Sequence, residues 1–233
     1  MTALRRWSIT LVTATVTAAV LLGAGLLLLG GSSDDGADAS PEPVAAKPPP
    51  AQSSPKGAKI GPEGVPLPGG APLGRTRAPK KGEAVAGIPC GSTEQLRYHV
   101  HARLTVFVNG KPRTVPLGIG IGQPRRIDRS PDGPFAADGS CFSFLHTHAA
   151  DGIIHIEAPG QVTFKLGQFF ELWGVRLDRG HLGSNTGRVR AYVNGTPYKG
   201  DPRGILLLKH AQIQLEVGKP GVKPKSIEFP PGL

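Results

Sequence analysis

The sequence predicts an all-β domain over residues 88–233, an antiparallel sandwich or barrel with one short helix, preceded by a transmembrane helix and a disordered linker. Three observations carry that fold class. Between Tyr98 and Val108, the apolar positions Tyr98, Val100, Ala102, Leu104, Val106 and Val108 alternate with His99, His101, Arg103, Thr105 and Phe107, the period of a strand with one buried face. The run stops at Asn109-Gly110, a pair that tolerates positive φ at both centres of a two-residue hairpin turn, and the same pair recurs at Asn194-Gly195. Further short runs rich in β-branched and aromatic residues follow, each bounded by Gly, Pro or Asp, at the spacing of sandwiches and barrels.

The elements follow in chain order. Ile9 to Gly30 is an uncharged run of about 22 residues, enough to cross a hydrocarbon layer of roughly 30 Å as a helix. Arg5 and Arg6 precede it while Asp34 and Asp35 follow it, so the positive-inside rule keeps the N-terminus in the cytoplasm and exports the rest. Residues 1–30 are therefore expected to be a signal anchor of a single-pass cell-membrane protein whose C-terminal domain is extracytoplasmic. The alternative is a secreted product of signal cleavage at Ala37-Asp38-Ala39, a site set far from the apolar run. Residues 31–87 read as a Pro/Gly-rich disordered linker: Gly31 to Pro89 holds half of the chain's 24 prolines and no apolar periodicity, too little to offset chain entropy.

Within 88–233, strands are expected at Tyr98 to Val108, Phe142 to Thr147, Ile153 to Glu157, Val162 to Leu166, Val189 to Val193, Ile205 to Leu208 and Gln212 to Val217. TVFVNGKP and VRAYVNGTP are similar enough to suggest two equivalent hairpins. Leu166 to Trp173 predicts the one helix, with Leu166, Phe169, Phe170 and Trp173 on its buried face and Gly174 as its C-terminal stop. Pro116 to Gly139 reads as a loop excursion.

Charge narrows the partners. The chain carries a net charge of +10, and residues 90–233 hold 18 Lys/Arg against 11 Asp/Glu. Outside a membrane, such a surface favours anionic lipid or cell-wall polymers. Nucleic acid is excluded on export and on the lack of any nucleic-acid-binding motif. The two cysteines, Cys90 and Cys141, lie on the exported side, where an even count in an oxidising compartment predicts a disulfide.

The chemistry lies in the histidines. Of seven, four form two H-x-H pairs, His99/His101 and His146/His148, and His155 follows the second pair closely. Residues two apart on a strand share a face, so each pair presents two imidazoles side by side, as a copper or zinc site requires. By the same parity His155 and Glu157 lie together, opposite Ile154 and Ile156. Glu157 is placed to ligate, to orient an imidazole or to act as a base, and Asp151 joins it as a carboxylate that could orient or relay a proton. A Cys90–Cys141 bridge would draw the two H-x-H segments together. His181 and His210 have no partner that the sequence identifies. Cys141 and His146 also have the C-x4-H spacing of blue-copper proteins, but Met1 is the only methionine and Cys90 would be left unpaired. Cupins and copper-zinc superoxide dismutases share the H-x-H element, while the rest of their ligand patterns is missing.

The segments Tyr98 to Gly110, Leu145-His-Thr-His-Ala-Ala-Asp-Gly-Ile-Ile-His-Ile-Glu157 and Gly167 to Gly174 together resemble a group of uncharacterised bacterial exported proteins. The resemblance spans residues 88–233 and implies a shared β-domain, with no activity to carry over. In that group an acidic residue often follows LHTH directly, where this chain has Ala149.

Three functions compete on these residues. A membrane-tethered module would hold copper or zinc through His99, His101, His146, His148 and His155. A zinc enzyme would use three imidazoles with Glu157 as base. An adhesion β-domain would use the basic face and leave the histidines replaceable. No nucleophile, phosphate-loop or dinucleotide signature is present, so the binding module is preferred over an enzyme.

Overall fold

Parity along one strand organises the molecule, which is described here from a computed structural model over residues 57–233. The expected anchor at 1–30 and the linker as far as residue 56 lie outside the described residues. The elements are β1 (Ala84–Val85), β2 (Ile88–Gly91), β3 (Tyr98–Val108), β4 (Lys111–Arg113), β5 (Arg125–Ser130), β6 (Gly133–Gly139), β7 (Phe142–Ser143) and β8 (Leu145–His146). They continue with β9 (Ile153–Ala158), α1 (Leu166–Trp173), β10 (His181–Leu182), β11 (Asn185–Thr186), β12 (Arg190–Val193), β13 (Thr196–Tyr198), a 3-10 turn at Pro202–Gly204 and β14 (Gln212–Val217). The described residues are thus mostly strand with one α-helix, and none of their helices is long and apolar enough to cross a membrane.

The main sheet runs β13-β12-β14-β3-β9-β8, with β4 pairing the far end of β3. Its strands are antiparallel except β14 beside β3, which is parallel, from Gln212 against Arg103 to Val217 against Val108. A purely antiparallel sheet was expected. The long path from β3 to β14 gives the chain room to return in the same direction, which a hairpin cannot do. Both Asn-Gly turns form as expected: Asn109 (φ 51°) and Gly110 (φ 73°) join β3 to β4, while Asn194 (φ 50°) and Gly195 (φ 79°) join β12 to β13. The two hairpins flank β14.

One face of β3 presents Ala102, Leu104, Val106 and Val108 to the core, together with Ile154 and Ile156 of β9. The helix covers that face. Leu166, Phe169, Phe170 and Trp173 are fully buried against it, and Gly174 ends the helix in the left-handed conformation (φ 78°). The opposite face of β3 and β9 is also covered, since all six residues of β9 are buried.

That second layer differs from what the sequence predicts. Residues 57–87, expected to be spacer, pack onto the domain: Val65 is fully buried and clusters with Ile153 and Ile227, and Leu73 joins the main core. Pro116 to Gly139, expected to be a loop, carries the β5–β6 hairpin, whose Ala136 is buried with Ile121 and Phe142. Val162 to Leu166 and Ile205 to Leu208 are not strands; they meet at a single bridge, Lys165 to Leu206, and pack by their apolar side chains. Phe142 to Thr147 divides into β7 and β8. Cys90 and Cys141 are bonded, with Cα atoms 5.4 Å apart, and tie β2 to the residue before β7.

Candidate metal centre

Register creates the site. On the face of the sheet away from α1, His101 of β3 lies directly opposite His155 of β9, and His155 lies directly opposite His146 of β8. Three adjacent strands therefore set three imidazoles in one row, at the spacing of cross-strand neighbours. In the next row His99 lies opposite Glu157. His148 reaches the cluster from the turn after β8, with its ring stacked on Phe135 of β6 at 4.7 Å. All five expected histidines meet in one place.

Backbone carbonyls fix two of the tautomers. His146 Nδ1 donates to the Ser143 carbonyl at 2.9 Å, and His148 Nδ1 donates to the Ala136 carbonyl at 2.6 Å. Since a carbonyl only accepts, both Nδ1 atoms carry a proton, and Nε2 is the nitrogen each ring has left to offer a ligand. Those Nε2 atoms face each other at 3.0 Å. Two ring nitrogens at that distance either share a proton in a hydrogen bond or take a metal ion between them. The ligand edge of a tetrahedral site with Zn–N bonds of 2.0–2.1 Å is about 3.3 Å, close to what the pair offers.

His155 is held the other way round. Its Nε2 lies 2.6 Å from Glu63 Oε1, and its Nδ1 faces inward, 3.2 Å from both Glu157 Oε1 and His101 Nε2. A carboxylate on the outer nitrogen of an imidazole whose inner nitrogen faces other ligands is the arrangement that orients metal-binding histidines. Glu157 Oε1 also lies 3.1 Å from His99 Nε2 and 3.7 Å from His146 Nε2. Glu157, expected to ligate, orient or act as a base, thus sits among the ligand nitrogens, while its Oε2 is buried without a hydrogen-bond partner.

Electrostatics prepare the same atoms. Burial first, then the neighbouring imidazoles His155 and His99, lower His101 to about 3. Burial, with His148 and His155 beside it, likewise holds His146 well below the usual histidine range. Both rings are neutral at physiological pH and ready to ligate. Burial alone would lower His155 too, but its hydrogen bonds to Glu157 and Glu63, reinforced by their charge, raise it to about 9.

Two carboxylates of the site had no motif to reveal them. Glu94 lies 3.3 Å from His148 Nε2 and 3.9 Å from His146 Nε2; its hydrogen bond to His148 lowers its pKa against the opposing effect of burial. The only sequence signal was its place just after Cys90. Glu63 belongs to the segment expected to be spacer, where the apolar Ile60, Val65 and Leu67 were the unread signal. Asp151, expected near the imidazoles, stands behind Glu63 instead. Its Oδ1 accepts from the Ile153 amide at 3.1 Å, and burial, followed by the charge of Glu63, raises its carboxyl to about 8. A protonated Asp151 hydrogen-bonded to Glu63 accounts for the two orphan oxygens, Asp151 Oδ2 and Glu63 Oε2.

Glu63→Ala is expected to weaken metal binding by about 10–100-fold, as removal of an orienting carboxylate does elsewhere. Glu63→Gln retains an acceptor for His155 and recovers most of the loss. Calorimetric titration of both variants decides the point, and an unchanged affinity in Glu63→Ala would remove Glu63 from the site.

The other histidines lie elsewhere. His181 bonds Asp178 at 3.0 Å in a local turn, and His210 donates from Nε2 to the Leu233 carbonyl at 2.8 Å while stacking on Phe229. Among the described residues, the groups able to hold a metal ion are the buried His146, His148, His155 and Glu157, with the exposed His99 and the buried His101 and His155 as a second, overlapping group. Compared with protein-family models, curated proteins and solved structures, the chain matches none.

Proposed function

We propose that the chain is a membrane-tethered, extracytoplasmic module that holds copper or zinc through its clustered histidines. The observation that carries this reading is the convergence of the His146 and His148 Nε2 atoms, 3.0 Å apart, each turned inward by a backbone carbonyl on the far side of its ring. Imidazole donors with one or two carboxylates suit zinc or copper. The export signal in residues 1–30 supports the location. A holding site is favoured over an enzyme because Glu157 Oε1 lies within 3.7 Å of three imidazole nitrogens, a ligand's position and not that of a free base.

His155 belongs to both groups of donors, so a single substitution tests the whole reading. The full-length chain in detergent is expected to bind Zn²⁺ or Cu²⁺ tightly by calorimetry, and His155→Ala to weaken that binding by about a hundredfold or more, beyond the loss seen for orienting groups. Weak binding indifferent to His155→Ala would sink the proposal.

Proton release provides a second check. Metal-free His155 carries a proton below about 9, and ligation through Nδ1 displaces it. Affinity therefore rises with pH from neutrality, by up to about tenfold per unit for one proton released, and levels off above 9. His101 and His146 add nothing to this slope because they are already neutral. Titrations in buffers of different ionisation enthalpy measure the proton directly, and a pH-independent affinity would show that His155 is not a ligand.

A further inference from the structure

The cluster offers more donors than one ion can use. His99, His101, His146, His148 and His155 bring five imidazoles, and Glu94 and Glu157 add two carboxylates, whereas a zinc site of this type takes four ligands. We infer that the centre is built for two ions, one on His99, His101 and His155, the other on His146, His148 and Glu94, with the Glu157 carboxylate bridging them. The inference rests on the metal-binding reading above and specifies its stoichiometry.

Counting donors gives the first argument. Each half contributes three, and the shared carboxylate is the fourth of both, which completes two four-coordinate sets with none left over. The distances give the second. In the first half, His101 Nε2 to His155 Nδ1 is 3.2 Å, and Glu157 Oε1 is 3.2 Å from His155 Nδ1 and 3.1 Å from His99 Nε2. In the second half, His146 Nε2 to His148 Nε2 is 3.0 Å, Glu94 Oε1 is 3.3 Å and 3.9 Å from His148 and His146, and Glu157 Oε1 is 3.7 Å from His146. These values scatter about the tetrahedral ligand edge of about 3.3 Å that 2.0–2.1 Å bonds produce.

Burial of the shared carboxylate points the same way. Glu157 is 2 % exposed, and its Oε2 has no hydrogen-bond partner. A buried carboxylate oxygen left unpaired is destabilising by about 1–3 kcal/mol or more, and Oε1 is already engaged by three imidazoles. Oε1 already faces ring nitrogens of both halves, so the carboxylate lies where a bridge between two cations would, and a cation beside it gives Oε2 the partner it lacks. A single ion held by His146, His148, His155 and Glu157 would leave His99 and His101 without a role, although His101 is 3 % exposed and its Nε2 points at His155. The most exposed donors, His99 and Glu94, fall one in each half, with side chains 34 % and 30 % accessible. Each ion thus has its own route from solvent.

Loading and spectroscopy of the unmodified full-length chain test the inference. Native mass spectrometry after Zn²⁺ loading is expected to retain two ions per chain. The Cu²⁺-loaded chain is expected to show a spin-coupled pair, with loss of the isolated-ion resonance and a half-field feature, because bridged two-metal sites hold their ions about 3.5–4 Å apart. His99→Ala/His101→Ala and His146→Ala/His148→Ala should each retain one ion and restore an uncoupled Cu²⁺ signal. One tight ion in the unmodified chain overturns the two-ion centre and leaves the metal-binding reading standing. Two ions with uncoupled copper spectra overturn the Glu157 bridge, and no tight ion at all sinks both readings together.

Discussion

Zn²⁺ added to the metal-free full-length chain at about a thousand times its dissociation constant is expected to raise the free energy of unfolding by about 4 kcal/mol. For a folded unit of this size that is an increase of roughly 8–16 °C in Tm. The effect follows from what the metal-free site contains. His146 and His148 turn their Nε2 atoms toward each other across 3.0 Å, and the buried Glu157 has an oxygen without a partner. A cation answers both demands, and it answers them only in the folded state, because β3, β8 and β9 must be paired before His101, His155 and His146 form a row. Binding energy is then folding energy. A chelator should return Tm to its metal-free value. An unfolding temperature indifferent to Zn²⁺ and Cu²⁺ would mean that hydrogen bonds alone hold the rings.

The donors on strands were legible because side-chain parity needs no partner strand. Val100 to Val108 against His99 to Phe107 specified which face of β3 is core, and Ile154/Ile156 against His155/Glu157 did the same for β9. The helix was legible for a similar reason: its apolar stripe and the stop at Gly174 are local. What the sequence did not carry was adjacency. That β3 and β8 both pair with β9, in a register that aligns His101, His155 and His146, is a non-local fact with no local signature. Glu63 was hidden by composition, because the prolines and glycines around it read as spacer while a few apolar side chains sufficed to dock the segment. The β5–β6 hairpin was hidden by exposure: β5 buries no residue, so its sequence, RRIDRS, shows no apolar alternation to read. Both misread segments supply atoms to the site, Glu63 Oε1 to His155 and the Ala136 carbonyl to His148.

Removing the disulfide, as Cys90→Ala/Cys141→Ala, is expected to destabilise the metal-free chain by about 4 kcal/mol, the loop-closure entropy of a cross-link spanning a separation of 51 residues. Urea unfolding of the two proteins measures it, through a lower midpoint at an m-value reflecting any change in the denatured chain. The bond also has a local consequence. Glu94 follows Cys90 and His146 follows Cys141 after only a few residues, and these two arms meet across the site, where Glu94 Oε1 lies 3.3 Å from His148 Nε2. Between Gly91 and Tyr98 the chain has no regular strand, so Glu94 is held in reach through the Cys90 anchor and the short pairing of β2 with β1 and β7. His146 and His148, by contrast, are held by β8 and by carbonyls of Ser143 and Ala136. The double substitution should therefore weaken binding at the His146/His148 half more than at the His99/His101/His155 half, whose donors all lie on β3 and β9. Equal weakening of both halves would show that the cross-link acts only through global stability, and the site's geometry would then rest on strand register alone.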